Sequence, residues 1–415
     1  MPPSTPRPAR QPSVRGHNLA LVLGAVVDGG PASRAQVAAR TGLTKASVSG
    51  MVDALVRAGL LAETGAPSKS AGVGRPGSAL APAPLAPRGI GLEINVDYLA
   101  TCTVDLAGQP LAKEVVADDL RGLPPVAVLD QAAVLVARAV DAVGAAGGPV
   151  AGLGVAVPGL VEEGRGHLLL APNLGWSEVD VVGELERRLP KLAGLVRLDN
   201  EANLGALGEL WCGDHADEQG EPLRSFLHVS GEIGIGAGIV LHGELMRGLR
   251  GFAGEMGHVP VAPGDGPRCR CGATGCLEML AGQEALLRAA GLAGAPRSAG
   301  RSWSGPVSRL AAAAEDGDPA ALRALADGGR ALGTGIATVV NLVDVDTVVL
   351  GGVYAQLAPW LRAPVEEELA ARVLAVRAGP VQLLVSSLAG EAAVRGAATW
   401  AARRVVTDPT AWLQT

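Results

Sequence analysis

Aromatic side chains make up only 2% of this chain, although 48% of its residues are hydrophobic. A core built on large rings is therefore excluded, and Ala, Val and Leu must fill the interior. Lysine occurs just four times, which, beside the abundant Ala and Gly, reads as the coding bias of a GC-rich genome rather than a functional signal. No apolar run reaches the roughly 18 residues of a membrane span. The first residues, MPPSTPRPARQPSVRGHN, carry charge but no apolar stretch of the kind a secretory signal needs. These absences predict a cytoplasmic protein with reduced thiols, in which clustered cysteines point to metal more than to disulfides.

At 415 residues the chain exceeds one ordinary core, so two or three domains are expected. Charge divides it. Residues 1–85 hold nine Lys or Arg against three Asp or Glu, a net +6, and the remainder is net −12. A small basic module on a large acidic body suggests a polyanion partner for the first part alone, against the plainer reading of a basic disordered tail.

Within the basic part, residues 18–29 read as a short apolar helix. Two further helices follow around a tight turn. Ser33 and Gln36 form a capping box, and Gly42 stands where the first of the two must stop. Thr44 caps the second, on which Val48, Val52 and Leu55 recur on one face, and Gly59 closes it. Lys45, Ser47 and Ser49 are left outward near its start. This is the helix-turn-helix plan, in which the start of the second helix enters the major groove; a protein-interaction module of three helices is the alternative. LLAET and SALAP predict two strands flanking a wing at about residues 64–77, carrying Lys69 and Arg75. Arg75 within GRPG suits an A·T-rich minor groove, or simply a linker turn.

From residue 88 strands alternate with helical stretches, which implies α/β layers in two lobes with a cleft. The segment 89–116 reads as a β-hairpin around Ala107-Gly108-Gln109. Near the middle, His258, Cys269, Cys271 and Cys276 offer one imidazole and three thiolates in a C-x-C-x4-C knuckle. Four such ligands close a tetrahedral Zn²⁺ site with sulfur about 2.3 Å from the metal, leaving no open position, so the zinc is expected to be structural. Cys102 lies in an apolar strand pattern and reads as core; Cys212 takes no assignment. The knuckle pins two carboxylates, Glu255 and Glu278, beside the imidazole. Groups that both donate and accept hydrogen bonds suit the vicinal hydroxyls of a polyol.

The stretch AGEMGHVPVAPGDGPRCRCGATGCLE resembles the signature of the ROK (repressor, ORF, kinase) family, and the similarity runs from about residue 88 to 405, including GLGVAVPG and VVNLVDVDTVVLGG. The resemblance implies an α/β, actin/hexokinase-like two-lobed fold with a zinc knuckle, a sugar in the cleft, and homodimers or homotetramers. With the winged helix-turn-helix it points to the transcription-regulator branch. By position, Glu255, His258 and Glu278 match the family's sugar contacts. Asn200, in DNEAN, falls at a sugar-contacting amide, and Glu201 at the place of the kinase general base; Gly159 and Asn173 are further candidates for the cleft. The departures lie in the phosphate loops: Glu93, Asn95, Val96 and Asp97 stand where kinases carry DxGGT, and Glu232, Ile233 and Gly234 where they carry GTG.

Together these readings divide the chain into a disordered basic tail (1–17), a DNA-binding domain (18–85) and a sugar-binding domain (86–415). The lobes of the last are expected at about 86–200 plus the C-terminal helix, and 201–387. The expected function is a sugar-responsive, DNA-binding repressor of carbohydrate genes, with a sugar or sugar phosphate as effector and no enzymatic activity. The alternatives are an ATP-dependent sugar kinase with an appended DNA-binding domain, and a DNA-bound protein that answers to a partner protein.

Overall fold

The computed structural model describes residues 11–67, 78–217, 220–264, 266–293 and 305–413. The N-terminal module contains helices Gln11–Val27, Arg34–Thr41 and Lys45–Arg57 and an antiparallel strand pair, Leu61–Pro67 with Ser78–Pro82. Its punctuation follows the residues. The Ser33 backbone N–H donates to Gln36 Oε1 at 2.8 Å while Gln36 N–H donates to Ser33 Oγ, a complete capping box. Gly42 closes that helix in the left-handed region, φ 70°. Thr44 caps the next by accepting from Ser47 N–H at 3.2 Å. Val48, Val52 and Leu55 are fully buried. Lys69 and Arg75 lie outside the described residues.

One boundary is corrected. Residues 11–17, expected within a disordered tail, are the first turns of the Gln11–Val27 helix. Pro12 sits in its first turn, where a missing N–H breaks no helical bond. Gly16 passes close to the C-terminal segment, so that a Cβ there would lie 3.4 Å from Thr410. The helix is longer than its apolar periodicity suggested because it has this neighbour.

The first lobe holds a five-stranded sheet in the order Val196–Asn200, Val150–Val157, Arg88–Ile94, Tyr98–Val104, Pro110–Ala117. The first three strands run parallel and the rest antiparallel. The segment 88–117, read from sequence as one hairpin, is thus a three-stranded meander whose first turn is Asn95–Asp97. Helix Pro125–Ala145 packs in the apolar core on one face. The C-terminal helix Ala392–Thr407 crosses the other so closely that a Cβ on Gly91 would fall within 3.0 Å of the Val394 carbonyl and the Ala398 nitrogen. Only glycine admits that approach. The second lobe orders Glu244–Leu245, Ile235–Leu241, Phe226–Gly231, Thr347–Gly352 and Gln382–Val385, and helices Pro319–Val343 and Val353–Arg372 share its core. A small antiparallel sheet, Leu160–Glu162, His167–Ala171 and Trp176–Asp180, rims the cleft.

The core of the N-terminal module is continuous with that of the first lobe. Leu19, Leu23 and Val26 of its first helix pack in one cluster with Val394, Ala398, Val405 and Val406 of the C-terminal helix and with Cys102 and Val104 of the sheet. An Arg403–Asp28 ion pair, 2.6 Å, reinforces the join.

Candidate functional site

A cavity of about 230 Å³ lies between the lobes and brings together Gly159, Asn173, Asn200, Glu201, Glu255, His258 and Glu278. Strand Val196–Asn200 ends where helix Glu201–Cys212 begins, and Asn200 is the helix N-cap. Its Oδ1 accepts from Ala202 and Asn203 N–H, at 2.8 and 3.3 Å. Its Nδ2 donates to the Gly159 carbonyl at 2.9 Å. The amide is therefore held rigidly. A ligand hydroxyl would compete only with the long 3.4 Å contact from Nδ2 to Glu201 Oε2.

Glu255 and His258 arrive on a single 3-10 turn after Gly254. A Cβ on Gly254 or Gly257 would fall within 3.0 Å of the Ala237 or Ile235 carbonyl, so these two glycines let the turn lie directly on strand Ile235–Leu241. Met256 is buried between them. Glu278 opens the short helix Glu278–Ala281. Gly234 leaves it room, because a Cβ there would come within 3.0 Å of Glu278 Oε2. Burial raises the Glu255 carboxyl, with His258 opposing. Burial, then Glu255, Glu93 and Glu278, lift Glu201 to about 8. Near neutral pH Glu201 is largely protonated and can donate a hydrogen bond as well as accept one.

His258, Cys269, Cys271 and Cys276 each place a ligand atom within 4.8 Å of the others. Cys271 Sγ and Cys276 Sγ lie 3.7 Å apart, and Cys269 Sγ lies 3.7 Å from His258 Nδ1. A tetrahedral ion with bonds of about 2.3 Å to sulfur requires sulfur–sulfur edges of about 3.8 Å. The four side chains fit such an ion. The imidazole is shared between two duties: Nδ1 faces the thiols, whereas Nε2 is 4.0 Å from Glu255 Oε2. Ligation through Nδ1 leaves the proton on Nε2, toward the cleft.

Deeper in the cleft lie the two segments expected from sequence at the place of the kinase phosphate loops. Glu93 is buried beneath the Asn95–Asp97 turn and accepts a hydrogen bond from the Tyr98 hydroxyl at 2.6 Å. Burial lifts its carboxyl to about 7, against the Tyr98 and Asn95 hydrogen bonds. Glu232 is pushed far above the usual carboxylate range by burial and by Glu93, Asp97 and Glu201. This end of the cleft gathers buried carboxyl groups, whose crowding favours their protonated forms.

On the N-terminal module Thr44, Lys45 and Ser47 are exposed at the start of helix Lys45–Arg57, and Ser49 is half-buried. Its carbonyl accepts from Arg34 at 3.2 Å, and Arg34 also pairs with Asp53 and Glu63, both at 2.8 Å. These bonds brace the helix against the first strand. Two contributors were missed from sequence. Arg270 lines the cavity, 3.4 Å from Asn173 Oδ1; its place between two cysteines of the candidate metal cluster was an available signal. Tyr98, which supports Glu93, carried none.

Residues 89–404 match the ROK family. The chain belongs to the ROK family. Residues 20–69 match the MarR family, so a winged helix of that type precedes the ROK domain. Over 396 residues the chain is 30% identical to the xylose repressor of Caldicellulosiruptor bescii, covering 91% of this chain and 94% of that protein. It is 29% identical to the xylose repressor of Bacillus subtilis over 391 residues, with 94% and 95% covered. Among solved structures, a ROK family transcriptional regulator homologous to the E. coli Mlc protein superposes with a TM-score of 0.75 at 26% identity, covering 97% of this chain and all of that one. A ROK glucokinase from Streptomyces griseus, solved with glucose and AMPPNP, gives 0.62 at 28% identity and covers 75% of this chain and 98% of that one.

Proposed function

We propose that this ROK protein is a sugar-responsive transcriptional repressor acting on carbohydrate genes, with an aldose such as xylose as its effector. The observation that carries this reading is the union, in one chain aligned along almost its whole length with xylose repressors, of a capped recognition helix and a polyol pocket. Thr44, Lys45, Ser47 and Ser49, together with Lys69 and Arg75, would contact operator DNA. Asn200, Glu201, Glu255, His258 and Glu278 hold the sugar hydroxyls. A structural Zn²⁺ on His258, Cys269, Cys271 and Cys276 supplies a fixed imidazole orientation and braces the turn that carries Glu255. No helix among the described residues is long and apolar enough to cross a membrane, in keeping with action on DNA in the cytoplasm.

The two ends are physically joined. Helix Glu201–Cys212 starts in the sugar pocket and meets the C-terminal helix where a Cβ on Gly208 or Gly396 would come within 3.0 Å of the opposing Ala392 or Leu204 carbonyl. That helix in turn carries the Val405, Val406 and Arg403 contacts to the first helix of the DNA-binding module. Sugar-driven rearrangement of the lobes would then move the recognition helix. In a homodimer or homotetramer it would alter the spacing of two such helices, which must match half-sites about 34–36 Å apart.

Kinase activity is the second reading, favoured by the likeness to ROK glucokinases and by a carboxylate, Glu201, at the general-base position. Charge opposes it. At an effective dielectric of 20 a carboxylate about 4 Å from a phosphate charge costs about 4 kcal/mol. The charge of Asp97 alone would remove about half of a micromolar affinity of about 8 kcal/mol, and Val96 puts a branched side chain where the kinase loop has bare glycine. Incubation with ATP, Mg²⁺ and a panel of aldoses in a coupled assay is expected to release no ADP; sugar-dependent turnover would make the protein a kinase.

A further inference from the structure

A second cavity, of about 620 Å³, lies behind the sugar pocket and is lined by Arg197, Arg247, Arg403, Arg404, Trp211 and Trp400. The arginines come from a strand, a loop of the second lobe and the C-terminal helix. The guanidinium of Arg197 lies 3.8 Å from the Trp400 ring centre, that of Arg247 5.9 Å from it, and that of Arg403 4.9 Å from Trp211. A guanidinium held by an aromatic ring keeps its N–H fork pre-organised for a bidentate oxyanion.

Three of the four have carboxylate partners. Arg197 pairs with Glu163 at 2.9 Å, Arg247 with Glu163 at 3.3 Å and with the buried Asp199, and Arg403 with Asp28. Among the described residues Arg404 has no carboxylate partner and contacts the Gly194 carbonyl, at 3.3 Å from each terminal nitrogen. Glu244 and Asp408 also face the cavity, but Glu244 is exposed and Asp408 is occupied in capping Thr410. Burial lowers the Arg197 pKa; Glu163 opposes this, and Arg404 and Arg247 add smaller downward contributions.

We propose that this cavity binds the phosphate group of a small metabolite, as an effector site separate from the sugar pocket. Its place gives it purchase on both ends of the molecule. Arg247 holds Asp199, whose neighbour Asn200 is fixed in the sugar pocket. Arg403 holds Asp28 on the first helix of the DNA-binding module. A phosphate drawn to Arg404 competes for the same forks and shifts both ion pairs at once.

Isothermal titration of the full-length protein with inorganic phosphate and, in parallel, with glycerol 3-phosphate tests this on wild type, Arg404→Gln, Arg404→Lys and Arg330→Gln, the last removing an exposed arginine outside the cavity. Binding is expected in the wild type, tenfold or more weaker in Arg404→Gln, intermediate in Arg404→Lys, and unchanged in Arg330→Gln. Equal affinity for both probes identifies the bare phosphate group as sufficient, and tighter binding of the glycerol ester identifies a phosphomonoester ligand. The proposal is overturned by an absence of binding, by affinity in both folded Arg404 variants within twofold of wild type, or by equal loss of binding in Arg330→Gln. Neither probe is a sugar, so the outcome is distinguishable from whether the cleft senses xylose.

Discussion

Replacing Gly234 by alanine isolates the proposed ligand-binding role of Glu278 from the fold around it. The new Cβ would fall within 3.0 Å of Glu278 Oε2 and 3.3 Å from Asn173 Nδ2. The first of these atoms is the end of a flexible side chain and yields by rotation, at little expense to packing. The position is not among the positive-φ glycines, so alanine adopts its backbone without strain. Stability is therefore expected to change by no more than about 0.5 kcal/mol, as for substitutions that touch no core or cap. The rotated carboxylate, however, no longer faces the pocket. A hydrogen bond to a charged group contributes about 1.5–3 kcal/mol, and about 1.4 kcal/mol is tenfold in affinity, so sugar binding should weaken roughly 10- to 150-fold. Calorimetric titration with xylose reads this, and operator binding without sugar provides the control. Sugar affinity within twofold of wild type, or a DNA-binding defect without sugar, would refute the reasoning.

Other expectations follow from the same geometry. Cys269→Ser leaves three metal ligands, so bound zinc measured by atomic emission should fall and sugar affinity with it by tenfold or more; full sugar response in a metal-free variant would contradict the bracing role. Gly91→Ala forces backbone against backbone where the C-terminal helix crosses the sheet and should destabilise by about 1–3 kcal/mol or more, seen as a lower denaturant midpoint with unchanged slope. Glu93, lifted to about 7 from an ordinary 4.5, favours folding most when protonated. Its contribution is complete below about pH 4.5 and is lost as pH rises through 7, at most about 1.4 kcal/mol per pH unit. Glu93→Gln should flatten that part of the stability–pH profile, and a profile identical to wild type would remove Glu93 as its source. Lys45→Ala should weaken operator binding and reduce the slope of log affinity against log salt by about one.

What could be read from the sequence was local. The metal cluster spans Cys269 to Cys276 with His258 shortly before, and the winged module announces itself through Ser33, Gln36, Gly42 and Thr44, because caps act within a few residues. Glu255, Glu278 and Asn200 were legible through short motifs. Features assembled across the chain were not. The first helix begins at Gln11 because of a neighbour at Thr410. The arginine cavity joins positions 197, 247, 403 and 404, and nothing in any one segment marks it. The capping duty of Asn200, which restricts how it can serve a ligand, needs the strand-to-helix junction to be visible. Glycines at 91, 208 and 396 looked like compositional bias, yet each marks a backbone contact that side chains would block.

The most direct test of the account is fluorescence anisotropy of the full-length protein on DNA from upstream of its own gene, at fixed salt, titrated with xylose and a panel of other free sugars. Tight binding that one aldose shifts by an order of magnitude, with the shift abolished in Glu255→Gln, is the predicted result. DNA binding that no sugar moves would contradict the account at its centre.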